Sequence, residues 1–448
     1  MNGGGGSVVQ PIRRKLFHHM VWRWHFYAGL FCMPFVLLLA LTGSIYLWRP
    51  QIEGWLDRPY DRLAESGPVA SADMQVAAAL RAVPGGRLHE YLLPEATGQA
   101  VRILVTRAGE DRRVYVDPHG ARVLAVVTEE HRPLRWIFHL HGELLAGALG
   151  SYLVEVAACW AMVMLATGLY LWWPAGTHGL GGVLYPRLRS GGRRFWRDLH
   201  AVTGIWVSLL ALGLILTGLP WAKAWGSYLG EVRALTGTAD GPVDWTIGGK
   251  PAGEHEGHGG MVMPAPPPPA GELDRVAAAV RPLHLAPPVA IRPPARAGQP
   301  WSIASEAADR PLRSTLKVDG RSGRIVSRVD FGQRHWIDRA IGYGVAAHEG
   351  ALFGLANQLL GTAVALALML LSVSGAVMWW RRRPAGRLGA PPPLSRPRVG
   401  AGLAVGIVSL GLLLPLFGAS LAAVLLVEAV VLRRLPAARR WLGLSAAA

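Results

Sequence analysis

Four histidines in this chain are spaced as if they share one chemistry: His25, His141, His200 and His348. His25 and His200 each precede a Thr-Gly pair (Thr42-Gly43 and Thr217-Gly218) by 17 residues, and His141 and His348 each precede a Trp-Trp pair (Trp172-Trp173 and Trp379-Trp380) by 31. A neutral imidazole is a ligand for iron, copper or zinc. Each of the four stands at the start of an apolar run, and an ionisable side chain at membrane depth calls for a partner or a task. One such histidine alone reads most simply as an interfacial or hydrogen-bonded residue. Four in matched registers read as ligands. Imidazoles on both faces of a porphyrin leave its iron no open position and favour electron transfer over ligand chemistry. Two haems would use all four histidines, His25 with His200 and His141 with His348. A closed zinc site normally takes four protein ligands, which two histidines per level do not supply.

The elements that position them are membrane spans. The chain has 448 residues, 51% of them hydrophobic, and a mean hydropathy of +0.27. Its apolar residues gather into runs of the ~20 residues that a bilayer crossing needs. The expected spans are 21–48, 141–173, 200–222 and 348–380, followed by an apolar stretch at 401–432. That stretch is about 45–50 Å long as one helix, and Pro415 interrupts it, so it reads as a hairpin of two short spans. The net charge of +17 could suggest nucleic acid, but the arginines cluster beside the spans, as in cytoplasmic loops. Arg13, Arg14 and Arg23 flank the first span, Arg187 to Arg197 lie between the second and third, and Arg381 to Arg398 follow the fourth. Segments 1–20, 174–199, 381–400 and 433–448 are therefore expected in the cytoplasm, and 49–140 and 223–347 in the periplasm. This is the topology of a multi-pass protein of the bacterial inner (cytoplasmic) membrane with a cytoplasmic N-terminus. The first span lacks a small-residue cleavage site and reads as an anchor. Cys32 and Cys159 fall inside spans and form no Cys-x-x-Cys-His attachment site, so any haem would be of b type.

The two soluble segments resemble each other. Residues 72–83 and 272–280 read as helices. Residues 87–93, 100–106, 112–117 and 122–127 alternate as strands do, and so do 289–292, 300–305, 313–319 and 324–330. The fold class expected is a mainly α membrane protein: a duplicated bundle of four core spans plus a C-terminal hairpin, carrying two small periplasmic α+β domains. Both repeats start on the same side, so they run parallel about an axis along the membrane normal. Such an axis sets His25 opposite His200 near one surface and His141 opposite His348 near the other.

Other residues rank below these four. His139 has no counterpart at Ala346 and is a secondary candidate at the periplasmic site. Arg23 and Arg197 could meet haem propionates, although positive-inside placement already accounts for them. Gly29, Gly204, Gly147 and Gly354 follow the four histidines closely and could clear room for a flat macrocycle. His255, His258, Met261 and Met263 have metal-binding types but lie in a Gly/Pro-rich insert (248–271) that reads as a linker. No Gly-x-Gly-x-x-Gly or Walker loop is present, so electrons would come from a separate donor, a quinol or a cytoplasmic reductase.

The segments WHFYAGLF, HLHGELLAG, AAHEGALFG and RDLHAVTGIW, with the span ends LYLWWP and VMWWRRRP, resemble in order and duplication the PepSY-associated transmembrane family, which includes PiuB-like iron-regulated membrane proteins and FoxB-type siderophore reductases. The likeness covers about residues 15 to 432. It implies PepSY-like soluble domains, b-type haems on His25, His141, His200 and His348, and reduction of a periplasmic ferric siderophore during iron uptake. The alternative is a non-enzymatic PepSY-domain membrane protein that binds or transports a siderophore or peptide. The colour of the purified protein separates the two.

Overall fold

The computed structural model describes residues 6–64, 67–173, 179–239, 269–393 and 400–444. Helix α1 (Gly6–Tyr46) is followed by α2 (Arg49–Leu56), whose first turn contains Pro50, and by α3 (Ala72–Ala82), capped by the Ser71 side chain. Strands β1 (Arg87–Leu93), β2 (Val101–Arg107), β3 (Glu110–Val116) and β4 (Val123–Thr128) come next, then α4 (Pro133–Glu143) and the long α5 (Gly147–Trp172). The second half has α6 (Gly192–Gly218), α7 (Lys223–Leu235), α8 (Glu272–Val280), β5 (Val289–Arg292), β6 (Trp301–Ser305), β7 (Ser314–Val318), β8 (Ile325–Asp330), α9 (Trp336–His348) and α10 (Gly354–Arg382). The chain ends in α11 (Ala401–Leu413), α12 (Pro415–Val430) and α13 (Pro436–Leu442).

Among the described residues five helices are long and apolar enough to cross a membrane: Lys15–Tyr46, Gly147–Trp172, Gly192–Trp221, Gly354–Arg382 and Pro415–Arg434. Only 6% to 33% of their most apolar windows is buried inside the protein. Leu209, Trp206 and Leu366 are among the residues left facing outward, as expected where lipid is the solvent. Helices α1, α5, α6 and α10 form a ring in which each packs on two others. The expected sixth span is a shorter helix, α11. The chain breaks at Leu414 and Pro415, and the backbones of Gly411 and Gly418 meet.

Two of the expected spans begin later than the sequence suggests. His141 and His348 do not open α5 and α10. They lie in the last turns of α4 and α9, and each helix stops before the span starts. Leu144, Leu145 and Gly147 take positive φ in the first break, and Gly350 and Gly354 in the second. Gly147 and Gly354 therefore serve the turns, and a Cβ on either would meet nothing within 4 Å. At Gly150 a Cβ would overlap the Glu143 carbonyl, so the first break closes only on glycine. The third span starts earlier than expected, with His200 two turns inside α6.

Where the sequence suggested two small domains, the strands form one sheet, ordered β4-β3-β2-β1-β5-β6-β7-β8 and antiparallel throughout. The halves join through β1 and β5, with Tyr91 opposite Ile291 and Leu93 opposite Val289. A four-stranded half on its own would leave a row of unpaired backbone groups at that edge, and the junction satisfies them. Alternate residues of the strands, among them Ile103, Val114, Ile303 and Leu316, bury one face of the sheet under α3 and α8.

Candidate functional site: four imidazoles braced by hydroxyl–glycine pairs

Helix α5 meets α1, and α10 meets α6, at points where a hydroxyl residue precedes a glycine. Nδ1 of His25, on α1, donates to the Met164 carbonyl (3.1 Å) and the Thr167 hydroxyl (3.2 Å) of α5. Nδ1 of His200, on α6, donates to the Leu371 carbonyl (3.1 Å) and the Ser374 hydroxyl (3.1 Å) of α10. On the side nearer the sheet the roles reverse. His141 Nδ1 donates to the Thr42 hydroxyl of α1 (2.9 Å), and His348 Nδ1 to the Leu214 carbonyl (3.0 Å) and Thr217 hydroxyl (3.1 Å) of α6.

These bonds settle the tautomer. Each hydroxyl spends its own proton on a backbone carbonyl one turn back: Thr167 on Val163 (2.7 Å), Thr42 on Leu38 (2.8 Å), Thr217 on Gly213 (2.8 Å) and Ser374 on Leu371 (3.0 Å). Each oxygen can then only accept, so each Nδ1 carries the hydrogen. The lone pair of every ring is left on Nε2, the state a metal-ligating histidine takes when a second group holds its other nitrogen.

The glycine after each hydroxyl makes room for the ring. A Cβ at Gly168 would lie 3.0 Å from Cε1 of His25, at Gly43 3.1 Å from that of His141, at Gly218 3.3 Å from that of His348, and at Gly375 3.5 Å from that of His200. Thr167-Gly168 and Ser374-Gly375 were missed in the sequence, although they follow His141 and His348 by 26 residues each and repeat as regularly as the pairs that were noticed.

Bracing runs within each half of the chain, and pairing runs across the halves. The rings of His25 and His200 face each other with centroids 6.4 Å apart and planes at 79°. An imidazole nitrogen lies about 2.0–2.1 Å from a metal it ligates. A centroid separation of 6.4 Å leaves space between the two rings for a metal that both would hold. His141 and His348 are close enough to interact electrostatically, and Trp221 stands edge-on to His348 at 5.6 Å. Among the described residues no three His, Cys, Asp or Glu side chains converge on a point that would hold a metal.

Around His25 and His200 lies a cavity of about 910 Å³. Gly29, Met33, Met164, Gly204 and Leu368 line its body, and Arg193, Arg197, Arg381 and Arg382 line it as well, with no carboxylate among the lining residues. Arg382 lies over Trp22 and Phe26, at 5.2 and 5.4 Å from their ring centroids. This chemistry suits a flat apolar molecule with acidic groups at one edge.

The secondary candidates divide. Arg197 lines the cavity while bonding Asp198 at 2.8 Å. Arg23 does not line it. Its guanidinium turns to the carbonyls of Pro391 and Gly443 and ties α1 to the C-terminal segment. His139 is held between Glu130 (2.9 Å) and Glu143 (3.2 Å), both ring nitrogens engaged, and so is not poised as a ligand. Arg135, bonded to the same Glu130, holds that carboxyl below its ordinary range. His255, His258, Met261 and Met263 lie outside the described residues. The family model for the PepSY-associated TM region matches residues 22–382, which include all four histidines and all four hydroxyl–glycine pairs. No curated protein matches the chain.

Proposed function

The chain belongs to the PepSY-associated TM region family, and from that premise we propose that it is a bis-haem b reductase of the bacterial inner membrane, passing electrons outward to a periplasmic ferric siderophore. The observation that carries this reading is the fourfold arrangement of an imidazole held at Nδ1 by a spent hydroxyl, with Nε2 left free. His25 and His200 would hold one haem, and His141 and His348 the other. A haem held by these residues would supply one-electron chemistry.

The remaining roles belong to the chain itself. Thr42, Thr167, Thr217 and Ser374 keep the rings in one tautomer and one orientation. Gly43, Gly168, Gly218 and Gly375 let the rings approach the helices. Arg193, Arg197, Arg381 and Arg382 would face the propionates of the haem between His25 and His200. The parallel bonding in the two halves of the chain supports a duplicated bundle. The arginine-rich ends of α6 and α10, away from the sheet, support a cytoplasmic location for that face and for the N-terminus. The sheet would then be periplasmic, beside the His141–His348 pair, where a ferric chelate arrives. The electron donor would be a quinol or a cytoplasmic reductase at the opposite face.

The test is the absorbance of purified full-length protein, oxidised and reduced, with a haem-to-protein ratio. The expected result is a bis-histidine b-type spectrum and a ratio of two. Colourless protein from haem-replete cells would overturn the reading and favour the non-enzymatic alternative, in which the soluble part binds or the bundle transports a siderophore or peptide.

A further inference from the structure

A second cavity lies where the C-terminal segment meets α1 and the end of α10, with most of its wall beyond the matched family region. It measures about 500 Å³ and is walled by Leu30 of α1, Trp379 of α10, the segment after α10 with Arg383, Arg387 and Leu388, and Trp441 of α13. The walls are built together. Leu388 N–H donates to the Trp441 carbonyl (2.9 Å), and the Trp379 indole donates to the Leu388 carbonyl (2.8 Å). Tyr27 donates to the Leu442 carbonyl (2.6 Å), and Arg23 to the carbonyls of Pro391 and Gly443. The C-terminal segment is thereby fixed against the bundle with a pocket between them.

Arg383 and Arg387 are the charged residues that line this pocket, and the segment they belong to is strongly basic. After Glu349 the sequence has ten arginines and a single carboxylate side chain, Glu428, which lies near Tyr27. Arg383 stacks on Trp380, 3.7 Å from the ring centroid. Stacking of this kind orients a guanidinium and leaves its N–H donors for an acceptor. No carboxylate lines the pocket, and its other walls are apolar or aromatic. A volume of this size lies in the range of built ligand sites, about 300–1,000 Å³. Basic pockets between membrane helices on the cytoplasmic side suit phosphate-bearing lipid head groups, with tryptophan at the level of the interface.

We infer that this pocket binds the phosphodiester head group of an anionic phospholipid, with Arg383 and Arg387 as its anion donors. The lipid would fill the seam between the bundle and the C-terminal segment and offset charge that the chain leaves uncompensated. Leu30 and Trp379 also line the His25–His200 cavity, so the lipid would sit behind one wall of that site. The inference stands whether or not the histidines hold haem.

The test uses the detergent-purified full chain and native mass spectrometry with titrated phosphatidylglycerol or phosphatidylcholine. Phosphatidylglycerol should bind at least about fivefold more tightly, and Arg383→Gln and Arg387→Gln should each weaken it about fivefold, the effect of one basic side chain at an anionic surface. Arg434→Gln, an exposed arginine outside the pocket, should leave it unchanged, and unaltered melting in phosphatidylcholine checks that the variants fold. Equal binding of the two lipids, or equal loss in all three variants, overturns the inference. Competition by millimolar inorganic phosphate in place of lipid would identify a free-anion site, and displacement of lipid by a short-chain quinone analogue a quinone site. Either result also overturns it.

Discussion

The two imidazole pairs make the same bonds and stand on different supports. His25 and His200 belong to long continuous helices, α1 and α6, and are braced by two more, α5 and α10. The bundle alone sets their separation. His141 and His348 sit at the ends of the short helices α4 and α9, whose opposite ends bond to residues outside the ring of four spans. At the start of α4, Arg132 donates to the Tyr115 hydroxyl of β3 (3.2 Å) and to Asp57 (3.5 Å). In the first turn of α9, Asp338 pairs with Arg233 of α7 at 2.6 Å, both buried. The pair nearer the sheet thus stands on helices that also bond β3 and α7, and the far pair stands on the spans themselves. Thr42 and His25 are 17 residues apart on one helix, so the two levels lie about 25 Å apart along it.

The comparison can be broken most directly by removing ligands. His25→Ala and His141→Ala should each abolish about half of the bound haem, read as stoichiometry in purified protein. Loss of all haem from either variant would mean that the levels are not independent. The next effect tests the supports. Arg233→Met breaks the buried ion pair with Asp338, a kind of change that costs about 3–5 kcal/mol. It should lower the melting temperature and broaden the spectral signature of the His141–His348 level only; equal disturbance of both levels would refute the difference in support.

Smaller effects sharpen the likeness between the levels. Thr167→Val and Thr42→Val each remove an acceptor from a ring Nδ1. Loss of such a partner weakens metal affinity by about 10–100-fold, and haem-transfer titration should find a loss at each level, the smaller one at His25, which keeps its bond to the Met164 carbonyl. Smallest is the ring clearance. Gly168→Ala places a methyl 3.0 Å from His25, and Gly375→Ala one 3.5 Å from His200. Overpacking of this kind costs about 1–3 kcal/mol, so thermal melts of apo-protein should fall more for Gly168→Ala than for Gly375→Ala.

Much of the soluble part was legible because local patterns decide it. The helices at Ala72 and Glu272 and the alternating strands fall within a residue or two of where the sequence placed them. The joining of β1 to β5 was not legible, because backbone pairing between strands almost 200 residues apart leaves no mark on either strand. The breaks before α5 and α10 were also hidden. Apolar residues run through both of them, and only the positive φ values of Leu144, Leu145 and the nearby glycines separate helix from span. Arg23 and Arg197 looked alike in sequence, and three-dimensional neighbours sent one to the C-terminal segment and the other to the cavity.

By itself the sequence determined that this chain has several helices apolar enough for a bilayer and four histidines in two registers, because length and hydropathy are additive along a chain and spacing can be counted. Only the tertiary structure decided which hydroxyl holds which ring, which nitrogen is left free, and that one pair stands on long spans while the other ends short helices before them. Those outcomes depend on distances of about 3 Å between helices far apart in sequence, where a hydrogen bond is either made or lost.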